Sequence, residues 1–274
     1  MQQEFKIVCI GCSYTQGLKL DVNDPYPKIL YDLLKNSIPN LKVYNCGIGG
    51  SGAKIHKVVF EWVEETIKPD LIIYQITNDC RTQIIYNGDI KTGFDLDNEY
   101  ENYYSIYIPK PSWVCLPVYA YLGTVLPKSI YSKKHRFFKS KDANENDQAI
   151  QDFYEKYIKQ KSILTYEHFL SMCLYKNHYE SPSPVNWLDY VSDIDYVHKY
   201  CKTKMLSFFW EKQTLDDYNN YMEHHQRSIF NGTSIEDVFI NQNKNIDSYS
   251  IDKQRHLDTS GMTVVAEWIK ENIK

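Results

Sequence analysis

Apolar residues in this chain gather in short unbroken runs that alternate with stretches where they return every third or fourth position. The run "FKIVCI" (Phe5 to Ile10) is apolar and β-branched without alternation, the pattern of a strand covered on both faces. "PYPKILYDLLKN" (Pro25 to Asn36) then opens on proline and sets Ile29, Leu30, Leu33 and Leu34 on one helical face. "LKVYNC" repeats the strand signal, "AKIHKVVFEWVEETI" (Ala53 to Ile67) the helix signal, and "DLIIYQIT" (Asp70 to Thr77) reads as a third strand. Strand, helix, strand, helix, strand predicts a parallel sheet with right-handed crossovers.

After Asn78 the rhythm stops for about a hundred residues rich in tyrosine, lysine and proline, and "KMLSFFW" (Lys204 to Trp210) resumes it as a fourth strand. Arg81 to Pro184 therefore reads as an insertion, whose second half carries helical patterns in "DQAIQDFYEKYIKQ" and "LTYEHFLSMCLY". "VNWLDYVSDIDYVHKYCK" (Val185 to Lys202) is the expected crossover helix into the fourth strand. "GMTVVAEWIKENI" closes the chain as an amphipathic helix with Val264, Val265, Trp268 and Ile269 inward. No repeat or linker marks a second domain, so one domain spanning 1–274 with 81–184 inserted is expected.

Composition narrows the partners. The 274 residues are 43% hydrophobic, enough for a sizeable core, and a formal net charge of −4 gives no global bias toward nucleic acid or anionic membrane. Nucleic acid is not an expected partner. No run approaches the roughly 18 apolar residues of a membrane span, and "MQQEFKIVCIGCS" lacks a secretory apolar region. A cytoplasmic location is expected. Seven cysteines, an odd number, then predict thiols in place of a disulfide framework.

In open parallel sheets, ligands bind beyond the carboxyl ends of the strands. Three loops fall there: "GCSYTQG" after the first strand, "NCGIGGSG" after the second and "TNDCR" after the third. Gly47, Gly49 and Gly52 satisfy a dinucleotide-binding spacing, but on the second strand, and that reading leaves "GCSYTQG" unexplained. No Gly-Lys-Ser/Thr ends either glycine loop, so a phosphate-cradling P-loop is excluded. Cys9 and Cys12, with Cys46 and Cys80 at other strand ends, suggest a thiol or metal site, yet buried inert thiols account for them more simply. No metal and no cofactor are expected.

A nucleophile reading uses all three loops and adds "DKQRHLDTSGM" near the C-terminus. A serine hydroxyl needs an imidazole to accept its proton, and the imidazole needs an acid to fix its tautomer. Among eight histidines, His256 precedes the last helix, where the chain returns to the strand mouths, while His224 and His225 in "MEHHQR" read as solvated surface. Gly11 and Gly17 would permit a tight exit that exposes Ser13, with Thr15 bracing the loop; the competing role for Ser13 is a helix N-cap.

"GCSYTQG", "NCGIGGSG", "TNDC" and "DKQRHLDTSG" resemble, in order, the four blocks of the SGNH, or GDSL, hydrolase superfamily. The resemblance covers residues 5 to 80 and about 200 to 272. It implies a flavodoxin-like three-layer α/β/α fold with a mainly parallel sheet, here carrying a large, mostly helical insertion after the third strand. It implies Ser13 as nucleophile, His256 as general base, and the Ser13 amide with Gly50 and Asn78 as oxyanion donors. Asp252 is the implied acid, with Asp247 and Asp258 as alternatives. The chain departs from the family pattern twice: Cys12 stands where aspartate usually precedes the serine, and three residues, not two, separate Asp252 from His256.

The implied function is a serine hydrolase that removes a small acyl group such as acetyl from a carbohydrate or similar polar substrate through an acyl-enzyme on Ser13. The alternatives are an acyltransferase using the same site and a non-catalytic binding protein. The aromatic segment "YENYYSIYIPKPSWVCLPVYAYLG" suits either a packed cap or a substrate wall. "KSIYSKKHRFFKSK" (Lys128 to Lys141), with six Lys and Arg, reads first as a solvated loop.

Overall fold

Five parallel strands run side by side through the centre of the chain, in a computed structural model that describes residues 4–21, 24–77, 82–85, 95–100, 102–107, 113–116, 155, 184–252 and 255–273. β1 (Phe5–Gly11), β2 (Leu41–Gly47) and β3 (Leu71–Ile76) occupy the three predicted runs. Around them lie α1 (Ser13–Gln16), α2 (Tyr26–Leu34) and α3 (Ala53–Thr66). β4 (Thr82–Ile85), β5 (Asp95–Tyr100), β6 (Tyr103–Tyr107) and β7 (Trp113–Leu116) follow. The chain continues through α4 (Pro184–Tyr200), β8 (Lys204–Phe209), α5 (Lys212–His224), α6 (Ile235–Asn241), a 3₁₀ turn at Ile246–Tyr249 and α7 (Thr259–Asn272).

The main sheet has the order β5-β6-β2-β1-β3-β8. β1 pairs in parallel with β2 from Phe5 opposite Leu41 to Gly11 opposite Gly47, and with β3 on its other side. β3 pairs in parallel with β8, and β2 with β6; only the edge strand β5 runs antiparallel. The connections from β1 thus diverge to opposite sides, which opens a crevice beyond its carboxyl end.

Side-chain alternation explains the layers. Val8, Ile10, Cys46, Ile72 and Tyr74 pack on one face against α3, α4 and α5 through Val59, Ile194 and Tyr218. Ile7, Cys9, Val43, Leu71 and Ile73 pack on the other against α2, α6 and α7 through Leu30, Phe239 and Val265. Successive strand residues point to opposite faces, and helices cover both, so the runs show no polar alternation. The result is the expected three-layer α/β/α arrangement. In α7, Val264, Val265 and Ile269 are buried as predicted, and the half-buried Trp268 meets Phe208 edge to face at 5.4 Å.

The expected helical character of the insertion needs correction in its described part. Strands β4 to β7 all fall within 81–184; β5 and β6 join the main sheet, while β4 and β7 form a separate antiparallel pair. "YYSIY" in β6 is aromatic and β-branched, a composition that suits a pleated surface. The helical patterns at Asp147–Gln160 and Leu164–Tyr175, apart from Glu155, and the basic stretch Lys128–Lys141 lie outside the described residues. Among the described residues no helix is long and apolar enough to cross a membrane.

Candidate active site

The chain leaves β1 at Gly11 and enters α1 at once, with Cys12 as its extended N-cap residue and Ser13 as its first helical residue. A Cβ on Gly11 would lie 2.1 Å from Thr15 Oγ1 and 2.5 Å from Gln75 Oε1, so only glycine fits this exit. Gly17 ends α1 in the left-handed conformation (φ +78°), donating its N–H to the Ser13 carbonyl. Thr15 braces the turn as expected, sharing a hydrogen bond with the Tyr26 hydroxyl (3.1 Å) and donating to Gln75 Oε1 (3.2 Å). The same Gln75 oxygen accepts the Cys12 N–H at 2.9 Å. A polar side chain from the core of β3 thus holds the loop that carries the serine.

Ser13 is not the N-cap: that position belongs to Cys12, and no side chain caps α1. The serine hydroxyl instead lies 2.9 Å from His256 Nε2, and His256 Nδ1 lies 2.8 Å from Asp252 Oδ2. An ionised carboxylate can only accept, so the ring donates its Nδ1–H to Asp252. That leaves the Nε2 lone pair to accept the Ser13 O–H. The exposure expected of Ser13 is corrected: it is 3% exposed and His256 2%, with the imidazole within hydrogen-bond distance of the hydroxyl. Tyr14 forms the adjoining wall, its ring stacked on Trp210 at 4.2 Å and 5.0 Å from that of His256.

The three candidate acids separate cleanly. Asp258 caps α7, accepting the Gly261 N–H at 2.8 Å, and Asp247 accepts from Arg255 Nε at 2.9 Å. Asp252 alone of the three is hydrogen-bonded to the ring, and its Oδ1 also accepts the His256 backbone N–H at 3.2 Å. Backbone hydrogen bonds tie the residues on either side of this spacing together. The Arg255 N–H returns to the Asp252 carbonyl, the Ile251 N–H to the His256 carbonyl, and Arg255 adopts φ +58°. Sequence reasoning missed Lys19, whose ammonium lies 2.6 Å from Asp252 Oδ2 across 233 positions of chain. No local pattern signals such a contact.

The glycine loop after β2 belongs to the same place. Ile48 donates its N–H to the Gly11 carbonyl, and the Ser51 N–H closes a four-residue turn on the Ile48 carbonyl, with Gly50 at φ +79°. A positive φ at the third position marks a type II turn, which favours glycine. Ser51 Oγ also donates to the Gly11 carbonyl (3.2 Å) and pairs with His56 Nε2 at 2.8 Å. A Cβ on Gly47 would lie 2.2 Å from the Gln16 amide nitrogen, so the close approach that Gly47 permits is taken by α1 and not by a pyrophosphate. Asn78 and Cys80 lie outside the described residues.

Cys9, Cys12, Cys46 and Cys201 are free thiols, the first three buried, and burial pushes the Cys9 and Cys46 thiols well above their usual range. Among the described residues no group of three or more His, Cys, Asp or Glu side chains could hold a metal ion. His224 and His225 are exposed at the end of α5, the surface position expected of them.

No protein-family model and no curated protein matches the chain. Solved structures similar to it in shape include a catalytic mutant of an acetylxylan esterase from Geobacillus stearothermophilus (12% identity, TM-score 0.45, covering 100% of this chain and 96% of that chain). Others are a member of the lipolytic G-D-S-L family from Veillonella parvula (11%, 0.39, 97% of each chain) and a two-domain esterase active on acetylated mannans (12%, 0.37, 98% of this chain and 48% of that one). At such values the likeness carries no argument about chemistry. The chemical content of this site resides in the hydrogen-bonded series Ser13, His256 and Asp252.

Proposed function

We propose that the chain is a serine esterase that removes a small acyl group, acetyl foremost, from a carbohydrate or similar polar substrate. The single observation that carries this reading is the unbroken series Ser13 Oγ, His256 Nε2, His256 Nδ1, Asp252 Oδ2. In this mechanism Ser13 Oγ attacks the acyl carbonyl while His256 Nε2 takes its proton, and Asp252 stabilises the imidazolium that forms. The carbon–oxygen bond to the sugar then breaks, and His256 returns the proton to the leaving alcohol. Water, activated by the same ring, attacks the acyl-serine and releases the carboxylic acid.

The tetrahedral intermediate places negative charge on the former carbonyl oxygen. The Ser13 and Gly50 amides and the Asn78 side chain are the proposed donors to it, each contributing about 3 to 4 kcal/mol in such sites. Support for Gly50 is its turn, hydrogen-bonded directly to the end of β1. The acetylated carbohydrate is drawn from the resemblance of the four sequence blocks. Residues 81–184 are proposed as an aromatic-rich insertion in one domain, serving as a cap or substrate-recognition region; support comes from β5 and β6, which extend the main sheet. Free thiols at Cys9, Cys12, Cys46 and Cys201 support a reducing, cytoplasmic compartment.

The test is hydrolysis of p-nitrophenyl acetate and release of acetate from an acetylated xylo-oligosaccharide. Wild-type protein is expected to turn over both, and Ser13→Ala or His256→Ala to abolish it with the fold intact by circular dichroism. Groups that act as a unit lose their effect together, so the double variant should be little worse than either single one. Wild-type rates in Ser13→Ala would overturn the proposal.

A further inference from the structure

The turn that carries acid and base is one residue longer than the family pattern, and Asp252 lies on a loop where its side chain is 15% exposed. Something must hold its carboxylate against the ring. One cation does so directly, and a second ties down the residue next to the ring. Lys19 Nζ meets Asp252 Oδ2 at 2.6 Å, the oxygen that also receives His256 Nδ1, and so ties the loop after α1 to the loop before α7. Arg255, directly before His256, spreads its guanidinium between Glu236 in the first turn of α6 and Asp247 in the 3₁₀ turn.

Both cations sit in left-handed backbone, Lys19 at φ +72° and Arg255 at φ +58°. A residue with a Cβ adopts that region at a cost, and glycine does not bear it. A mere turn would favour glycine at both positions. The side chains present there instead reach carboxylates anchored on three separate elements: the acid's own loop, α6 and the 3₁₀ turn.

We infer that Lys19 and Arg255 are positioning residues for the acid–base pair, substituting for the shorter spacing that the family pattern would supply. Neither lies in the proton path between Ser13 and His256. They act through Asp252 and through the backbone of His256, and small displacements there are felt in turnover because proton transfer needs the ring within hydrogen-bond reach of the serine.

The inference rests on the esterase reading, and ester hydrolysis separates the two. Wild-type turnover that Ser13→Ala abolishes upholds the reading; a wild-type protein without turnover overturns both. Given turnover, Arg255→Gly relieves the backbone while removing the clamp. It is expected to keep the melting temperature within a few degrees and KM within about twofold, while kcat falls about tenfold. Lys19→Met, on an exposed loop, should lower kcat several-fold at unchanged KM, and Lys19→Arg should restore it. Added salt should lower wild-type kcat and leave Lys19→Met insensitive, since a half-exposed ion pair is screened. Values of kcat for Arg255→Gly and Lys19→Met within about twofold of wild type would overturn the inference, as would losses that follow the melting temperature.

Discussion

At the scale of the residue, three aspartates near one histidine do three different jobs, and what each carboxylate receives decides which. Asp252 takes the His256 Nδ1–H, whereas Asp258 takes an amide at the start of α7. Asp252→Asn should therefore keep the fold and leave the imidazole in the wrong tautomer, lowering turnover by up to about ten-thousandfold. Asp258→Ala should do the reverse: about 1 kcal/mol of stability lost in a denaturant titration and turnover within a few fold of wild type. The opposite pattern would exchange their roles. The meeting of Ser13 and His256 was legible because both of their loops were expected at the strand mouths. Choosing among the acids was not, since it depends on how a turn with Arg255 in left-handed backbone aims one side chain.

At the scale of the element, β1 matters for how it ends. The Gly11 carbonyl accepts from Ile48 and Ser51, while the face above it is filled by Thr15 and Gln75. A methyl group at position 11 would push on both of those side chains. Gly11→Ala should cost about 1 to 3 kcal/mol by overpacking and lower turnover further than the stability loss explains, because the loop that moves carries Ser13. Melting curves and initial rates on the same sample check this; an intact rate would mean that the exit does not set the serine.

The strands and main helices were readable from period alone: continuous runs for buried parallel strands and three-to-four spacing for α2, α3 and α7. Gln75 offered a further signal, a polar residue inside an otherwise apolar strand, that points to a buried acceptor. β5 and β6 were not readable. The place of β6 is set by pairing with β2 across a long sequence separation, and that of β5 by pairing with β6; a tyrosine-rich segment looks the same in a strand as in a cap.

At the scale of the whole molecule, the two helical layers and the sheet between them bring residues 13 and 256 together from opposite ends of the chain. Integrity of the layers also sets a pH limit. His198 of α4 donates Nδ1–H to the Ile194 carbonyl (3.0 Å) and accepts at Nε2 from the Ser207 hydroxyl of β8 (3.0 Å). Burial holds its imidazole below the usual 6.5, so the unfolded chain binds the proton more readily than the folded one. The stability it contributes is complete above about pH 6.5 and is lost as the pH falls through the folded value. Thermal melts between about pH 7.5 and 5.5 should show the decline, and His198→Gln should flatten it; an unchanged slope would assign the decline to other groups.

The central claim is that Ser13 takes the acyl group from the substrate, and acid-quenched protein mass spectrometry during p-nitrophenyl acetate turnover tests it most directly. The account predicts one acetyl group on the peptide that contains Ser13 in wild-type protein, and none there in Ser13→Ala. Acetyl carried on another residue, or turnover that persists without Ser13, would contradict it.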